Sequence, residues 1–392
     1  MESIKDKVAI VGMGCTKFGE HWDKSGVDLI VEAAAEAYKD AGVETKDIQA
    51  AWLGTEYTGI TGRLATEALG FDYIPVTRVE NACATGSDAL RNAVYGVASG
   101  TYDIAIAIGV EKVKDTGYSG LPGAAIDGDS NVEPQATFPS MFAMAATKYF
   151  DRYGLSAEEG KRLLAKIATK NHHNGSMNPR AHFQREVTLD QAINAPMIAW
   201  PLGLFDCCGV SDGAAIAIVV PRALAKNFRP DPVYIKGMCV STGGRRGQLS
   251  QKYDYTHFEE TVRASRAAYA EAGITDPLKQ LSLVELHDCF SITELITYED
   301  LGLCPRGTAK EYIEGGMFSL DGELPVNPDG GLKCFGHPIG ASGIRMMYEV
   351  YKQLQGKAQN PSRQLKKPEL GLTHNLGGFP LYFICSCIIA GL

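Results

Sequence analysis

The sequence is short of several things, and each shortage closes off a class of function. No apolar run approaches the ~20 residues that a membrane-spanning helix needs, so no membrane span is expected. Basic residues are outnumbered: 38 Lys and Arg stand against 46 Asp and Glu, for a formal charge of −8. That balance argues against nucleic acid as a partner, because phosphate binding needs clustered Lys and Arg. The 10 cysteines include no Cys-x-x-Cys pair, so no metal site is expected, and in a chain of this length they are not a disulfide framework. The opening "MESIKDKVAIVGMG" enters a strand at once and has no signal-peptide h-region, which makes a cytoplasmic protein the expectation. Two enzyme motifs are also incomplete. "VAIVGMGCTKFG" supplies Gly12 and Gly14 after a strand but has Lys17 where a dinucleotide fingerprint needs its third glycine. "GVSDG" fits a serine-hydrolase elbow at Ser211, yet the strand-like "AAIAIVVP" follows it where a helix is required.

What is present is a chain that says nearly the same thing twice. With 392 residues it is long enough for two or three cores, and 45% hydrophobic against 21% charged residues describes an ordinary globular protein. "DLIVEAAAEAYKDAGVETKDIQAAWLGT" and "EETVRASRAAYAEAGITDPLKQLSLVELHD" each read as an amphipathic helix ending at a glycine, Gly42 or Gly273, then a polar turn and an apolar strand. "NACATGSDALRNAVYGVASG" pairs with "GHPIGASGIRMMYEVYKQLQG", each a small-residue turn feeding a helix. "YDIAIAIGVEK" pairs with "LGLTHNLGG", and "GAAIAIVVP" with "PLYFICSCIIA" as closing strands. The repetition predicts two duplicated α/β halves, with largely parallel sheets covered by helices.

The first half is interrupted. Roughly 100 residues of Gly-, Pro- and Met-rich texture separate its strands, too long for a plain connection, and predict an inserted loop or lid domain. The expected division is 1–116 for the first half, 117–205 for the insertion, 206–231 for the closing strand and 232–392 for the second half. Phe138, Met141, Phe142 and Met144 in the insertion are compatible with an apolar acyl pocket, but core packing is the better reading. Cys207 and Cys208 also read as packing, and Cys385 and Cys387 as a buried face of the last strand.

Four places remain that carry chemistry. Cys83, in "VENACATGSDAL", sits where a helix N-terminus would lower a thiol's pKa. His337, in "KCFGHPIGASG", occupies the equivalent turn of the second half, and a pseudo-twofold would bring it towards Cys83 as a base. His287 and Cys289, in "VELHDCFS", lie two apart at the end of an apolar strand, so both side chains point one way. Asn375 and Gly377, in "THNLGGF", close a strand with amides suited to an oxyanion.

The ordered set N-x-C-x-[ST]-G, H-D-C-F, G-H-P-x-G-x-S-G and H-N-L-G-G resembles the thiolase superfamily, in its sterol-carrier-protein-type and archaeal branch. The resemblance spans the whole chain and implies the thiolase fold: α/β, two duplicated halves in αβαβα layers, with the loop domain inserted in the first. It implies that Cys83 takes the acyl group, that His337 draws off its proton, and that His287 holds the thioester oxygen of an enolate. Cys289 is then the second acid/base, and the Cys83 and Gly377 amides form the other oxyanion hole. Most thiolases carry the second thiol in the C-terminal glycine-rich loop, where this chain has Asn375; in the branch it resembles, H-D-C-F supplies it. The implied activity is thiolysis of a 3-ketoacyl-CoA, or the reverse Claisen condensation, with coenzyme A as substrate and no permanently bound cofactor. A decarboxylating ketosynthase, a hydroxymethylglutaryl-CoA-synthase-like condenser, a non-catalytic acyl-CoA or lipid binder and a Cys/His amidohydrolase are the rivals. The implied partners are acyl-CoA, a second copy or three more in a homodimer or homotetramer, and a small zinc-ribbon/OB-fold protein, as in the two-subunit benzoylsuccinyl-CoA thiolase. Arg245 and Arg246 are weak candidates for coenzyme A phosphates.

Overall fold

The computed structural model describes residues 3–116, 137–244 and 253–392. Its strands are β1 (Val8–Cys15), β2 (Ala50–Gly54), β3 (Val76–Val79), β4 (Ala105–Glu111), the short pair β5 (Met197–Ala199) and β6 (Leu202–Gly203), then β7 (Gly213–Pro221), β8 (Val233–Thr242), β9 (Leu283–Leu286), β10 (Leu370–Phe379) and β11 (Tyr382–Gly391). The helices that position the site are α1 (Gly26–Ala41), α2 (Thr85–Ala98), α3 (Phe138–Tyr153), α4 (Ala157–Ser176), α5 (Glu259–Ala272), α6 (Ser291–Asp300) and α7 (Ile339–Leu354). No helix among the described residues is long and apolar enough to cross a membrane.

The duplication is visible in the sheet order, β3-β2-β4-β7-β1-β8-β11-β10-β9. Outward from the β1–β8 seam the two halves list equivalent strands: first strand, closing strand, then the strand after the central turn, then the strand after the outer helix. The outer helices end alike. Gly42 (φ 69°) and Gly273 (φ 82°) adopt the left-handed conformation and return their amides to Tyr38 O and Tyr269 O, which explains the repeated A-Y-x-[DE]-A-G. At the front of α1, Ser25 and Asp28 form a reciprocal cap.

The expectation of largely parallel sheets is corrected to a mixed sheet. Pairing is parallel where helical crossovers link strands, at β3–β2–β4 and β10–β9. It is antiparallel through the middle, because each half inserts its closing strand beside its own first strand. The halves are joined by a short antiparallel pairing, Ala9 with Tyr234 and Ile10 with Val233.

Helix α1 covers β1 and β7 on one outside, and α5 covers β8 and β11 on the other. Between the two sheet halves lie α2 and α7, which touch each other as well as the strands. The layers are therefore αβαβα. Strands β4 and β7 are buried along nearly their whole length, as sheets covered on both faces require. The central helices approach so closely that a Cβ on Gly86 would lie 2.6 Å from Gly340 O. Small residues there let the turns at the starts of α2 and α7 meet.

Between β4 and β7 the chain leaves the sheet, and its described part there includes α3, α4 and the β5–β6 pair. Phe142 of α3 packs against Phe290 and Phe383, with ring centroids 4.6 and 6.0 Å away. It belongs to a core shared with the H-D-C-F block, while Met144 is exposed. Cys385 and Cys387 are buried, as periodicity predicts.

Candidate active site

Strand β3 delivers the chain to a tight turn before α2. Ala82 is held at φ 46°, a conformation that costs a non-glycine residue energy and marks sites over-determined by their surroundings. The surroundings here are local. The Asn81 amide donates to Thr85 Oγ1 at 2.8 Å, Asn81 Nδ2 donates to Asp88 Oδ2 at 2.5 Å, and the Ala82 amide donates to Glu80 Oε1 at 2.5 Å. Cys83 follows, half-buried. On its other side stands Gly377 of β10, where a Cβ would meet Asn81 O at 2.5 Å and Cys83 N at 2.9 Å. Only glycine lets the H-N-L-G-G strand lie this close to the Cys83 amide.

His337 precedes α7, and His287 follows β9. Cys83 Sγ and a ring nitrogen of each imidazole all lie within 4.8 Å of one another. The two rings stand edge to face, 5.2 Å between centroids. The turns that carry Cys83 and His337 thus lie together.

Hydrogen bonds decide what each imidazole can do. Ser342 Oγ donates its one proton to Pro338 O at 2.9 Å. Its 2.7 Å contact with His337 Nδ1 is therefore one in which Ser342 accepts, and Nδ1 carries the ring's proton. That leaves a lone pair on His337 Nε2, which has no partner among the described residues. His287 is wired the opposite way. Ser87 Oγ donates to Asn375 Oδ1 at 3.2 Å, which turns Asn375 Nδ2 towards His287 Nδ1 at 3.1 Å. Nδ1 must then accept, so the proton sits on Nε2. One histidine offers a base and the other a donor. The donor set would also suit a soft metal ion, but a His287 Nε2 that already carries the ring's proton cannot ligate one, so the wiring favours proton transfer.

Burial is the largest influence on every group. It pushes the His337 imidazole down to about 3, helped by the Arg345 charge. It holds His287 well below the usual imidazole range, with His337, His374, Arg345 and Lys333 acting the same way. The Cys83 thiol is raised, not lowered: burial leads, Glu56, Cys289 and Cys208 add to it, and the Gly378 amide pulls against it. This corrects the expectation drawn from the helix N-terminus, whose dipole is outweighed by desolvation. Cys83 and His337 thus rest as neutral thiol and neutral imidazole.

The second thiol, Cys289, is buried and sits 3.5 Å from Thr293 Oγ1 of α6. It is near enough to be among the groups that raise Cys83. Burial pushes it up to about 12, opposed by Thr293 and by Lys333. Cys208, read from sequence as packing, donates its amide to Cys289 O at 2.9 Å and borders the site.

The structure therefore gathers Cys83, His287, Cys289, His337, Asn375 and Gly377 in one place. Asn375 differs from expectation: its side chain is fully buried and occupied with Ser87 and His287, so it orients the imidazole. The amide acting on the Cys83 sulfur is that of Gly378. Ser342 and Ser87 were missed by sequence reading, which treated "GASG" and "TGS" as small-residue turns. Their hydroxyls were visible, but not their partners. Ser211 is buried, bonded to Gly209 O and His182 Nδ1, and followed by β7, which excludes the elbow. Arg245 and Arg246 lie outside the described residues.

The chain is similar to known proteins along nearly its whole length. Residues 8–223 match the family described as "Thiolase, N-terminal domain", and residues 241–385 match "Thiolase C-terminal domain-like". An acetyl-CoA acetyltransferase of Methanothermobacter thermautotrophicus is 43% identical over 379 residues, covering 95% of this chain and 96% of that protein. Benzoylsuccinyl-CoA thiolase subunit BbsB of Thauera aromatica is 34% identical over 381 residues, covering 96% of each. The solved structure of an Ltp2-ChsH2(DUF35) aldolase superposes with a TM-score of 0.85 at 25% identity, over 100% of this chain and 99% of that one. The chain belongs to the thiolase family and is an acyltransferase.

Proposed function

We propose that the chain cleaves 3-ketoacyl-CoA with coenzyme A, and runs the reverse Claisen condensation, through an acyl thioester on Cys83. The observation that carries this reading is the opposite wiring of the two imidazoles around one sulfur. In cleavage, the Cys83 sulfur bonds to the keto carbon while its proton passes to His337 Nε2. The pair rests neutral, so the proton moves only as the carbon–sulfur bond forms. The tetrahedral oxyanion is received by the Cys83 and Gly377 amides. Collapse breaks the bond between the keto and α carbons and leaves an enolate, whose thioester oxygen accepts from His287 Nε2–H.

Cys289 gives its proton to the α carbon, and the first acyl-CoA leaves. The Cys289 thiolate takes the proton of the incoming coenzyme A thiol, and that sulfur attacks the Cys83 thioester. Cys83 departs with the proton returned from His337. Every group ends as it began. Claisen chemistry makes two different oxyanions, and each donor is worth about 10²–10³ in rate; two separate donor sets are what this arrangement offers.

Coenzyme A is the substrate, with no resident cofactor. Closed homo-oligomers are the usual state of such enzymes, here a homodimer or homotetramer. A small zinc-ribbon/OB-fold partner is supported by the Thauera relative's name as a subunit and by the aldolase solved with a DUF35 protein. The test is coenzyme A-dependent cleavage of acetoacetyl-CoA and of linear, branched and aryl 3-ketoacyl thioesters, with and without a co-purifying protein. Absence of cleavage across the set, together with carbon dioxide release from malonyl thioesters, would instead establish a ketosynthase.

A further inference from the structure

Beneath the second thiol lies a cation that the mechanism above does not use. Lys333 belongs to the short helix Gly331–Phe335 that leads into the His337 turn, and it is 1% exposed. A lysine is almost never this buried unless paired. Its Nζ donates to the Asp288 backbone carbonyl at 3.1 Å and lies 4.0 Å from Asp288 Oδ2. That carbonyl belongs to the peptide bond joining Asp288 to Cys289. The Asp288 carboxylate, fully buried, accepts from Leu332 N at 2.6 Å, Lys333 N at 3.2 Å and Asn171 Nδ2 of α4 at 2.8 Å. The segment carrying Cys289 is thus clamped to the segment carrying His337 by backbone, carboxylate and ammonium together.

We infer that Lys333 is a positioning residue for Cys289: it seats the Asp288–Cys289 peptide and keeps a fixed positive charge beside the sulfur. The inference rests on the proposed acid/base role of Cys289. A thiol that gives up its proton in a buried site needs a nearby charge to favour the thiolate, and few surrounding groups supply one. From α6 come Thr293, a hydroxyl, and Glu294, a carboxylate that receives Asn171 Nδ2 and Lys170. From the loop before β7 come Cys207 and Cys208, from the turn before α2 comes Cys83, and two residues back on the same segment is His287. Arg345 is another buried cation, but it is held by Glu285 and Asp329. The Lys333 charge favours thiolate at Cys289, Cys207 and Cys208, and Asp288 opposes it.

The test follows the proton itself. The protein is incubated with deuterated acetyl-CoA in water, and loss of deuterium from the methyl group reports removal and return of an α proton by Cys289. Acyl-enzyme formation at Cys83, read by mass spectrometry, is measured in the same samples. Lys333→Met should slow exchange by about tenfold or more, equivalent to about one unit in the thiol's pKa, while acylation stays within about twofold. Raising the pH by about one unit should restore the wild-type exchange rate, which loss of structure would not allow. Lys333→Gln gives the same reading should the methionine variant not fold. Wild-type exchange in a folded Lys333 variant, or a loss shared equally by acylation and unaffected by pH, overturns the inference. Cys289→Ala separates the two claims: if it leaves exchange intact, the assigned role of Cys289 fails; if it abolishes exchange while the Lys333 variants exchange normally, only this inference fails.

Discussion

Ser342→Ala isolates the wiring on which the mechanism turns. Nothing is removed from the chemistry; one acceptor is removed from behind the base. His337 Nδ1 lies 2.7 Å from Ser342 Oγ, and Ser342 is fully buried, so water does not replace the lost hydroxyl. A buried N–H left without an acceptor costs about 1–3 kcal/mol. The ring escapes that cost by moving its proton to Nε2, which turns the base into a donor facing the Cys83 thiol. At about 1.4 kcal/mol per tenfold, the competent tautomer falls by about 5- to 150-fold. Acylation should fall with it. The assay is single-turnover acylation of Cys83 by acetyl-CoA, quenched and weighed by mass spectrometry, with melting temperature as the control for folding. A Ser342→Ala protein that acylates at the wild-type rate, where His337→Ala does not, would refute the tautomer argument.

Burial pushes His337 down to about 3, so the acylation rate should show no loss between about pH 7 and 5, where an ordinary imidazole titrates; an acid limb at 6–7 that vanishes in His337→Ala would contradict this. Cys289→Ala should still form the acyl-enzyme but lose about 10²–10⁴ in complete thiolysis, measured by separate single-turnover and steady-state assays. Gly377→Ala should drop acylation by about 10²–10³, because its Cβ would press on Asn81 O and the Cys83 amide; unchanged kinetics would mean the strand can retreat. His172 of α4 is pushed from 6.5 to about 4 by burial. Its folded pKa is depressed and it is buried neutral, so the unfolded chain binds more protons, and stability should be full above about 6.5 and decline as pH falls towards 4. Denaturation midpoints across that range should show the slope, and His172→Gln should reduce it, leaving the part that the other buried imidazoles, His182, His287 and His337, contribute with the same sign.

Much of this protein was legible in its letters because the signals are local. The glycines that stop α1 and α5, the alternation of helix and strand and the twofold repetition follow from short-range chemistry, and with them the resemblance carried by the four blocks around Cys83, His287, His337 and Asn375. The mixed direction of the sheet was not legible, since periodicity within a strand says nothing about which neighbour it joins. Nor was the raised Cys83 thiol. A helix N-terminus can be read from sequence, but the protein packed around it, which outweighs the dipole, is assembled from Glu56, Cys208, Cys289 and Gly378, each on a different segment. The same holds for the tautomers. Ser342 and His337 are five residues apart, yet only the backbone path that brings Pro338 O to the hydroxyl makes Ser342 an acceptor. Sequence determined which groups the enzyme has. Tertiary structure decided which proton each one holds, because protonation depends on desolvation and partners across space, and neither is written along the chain.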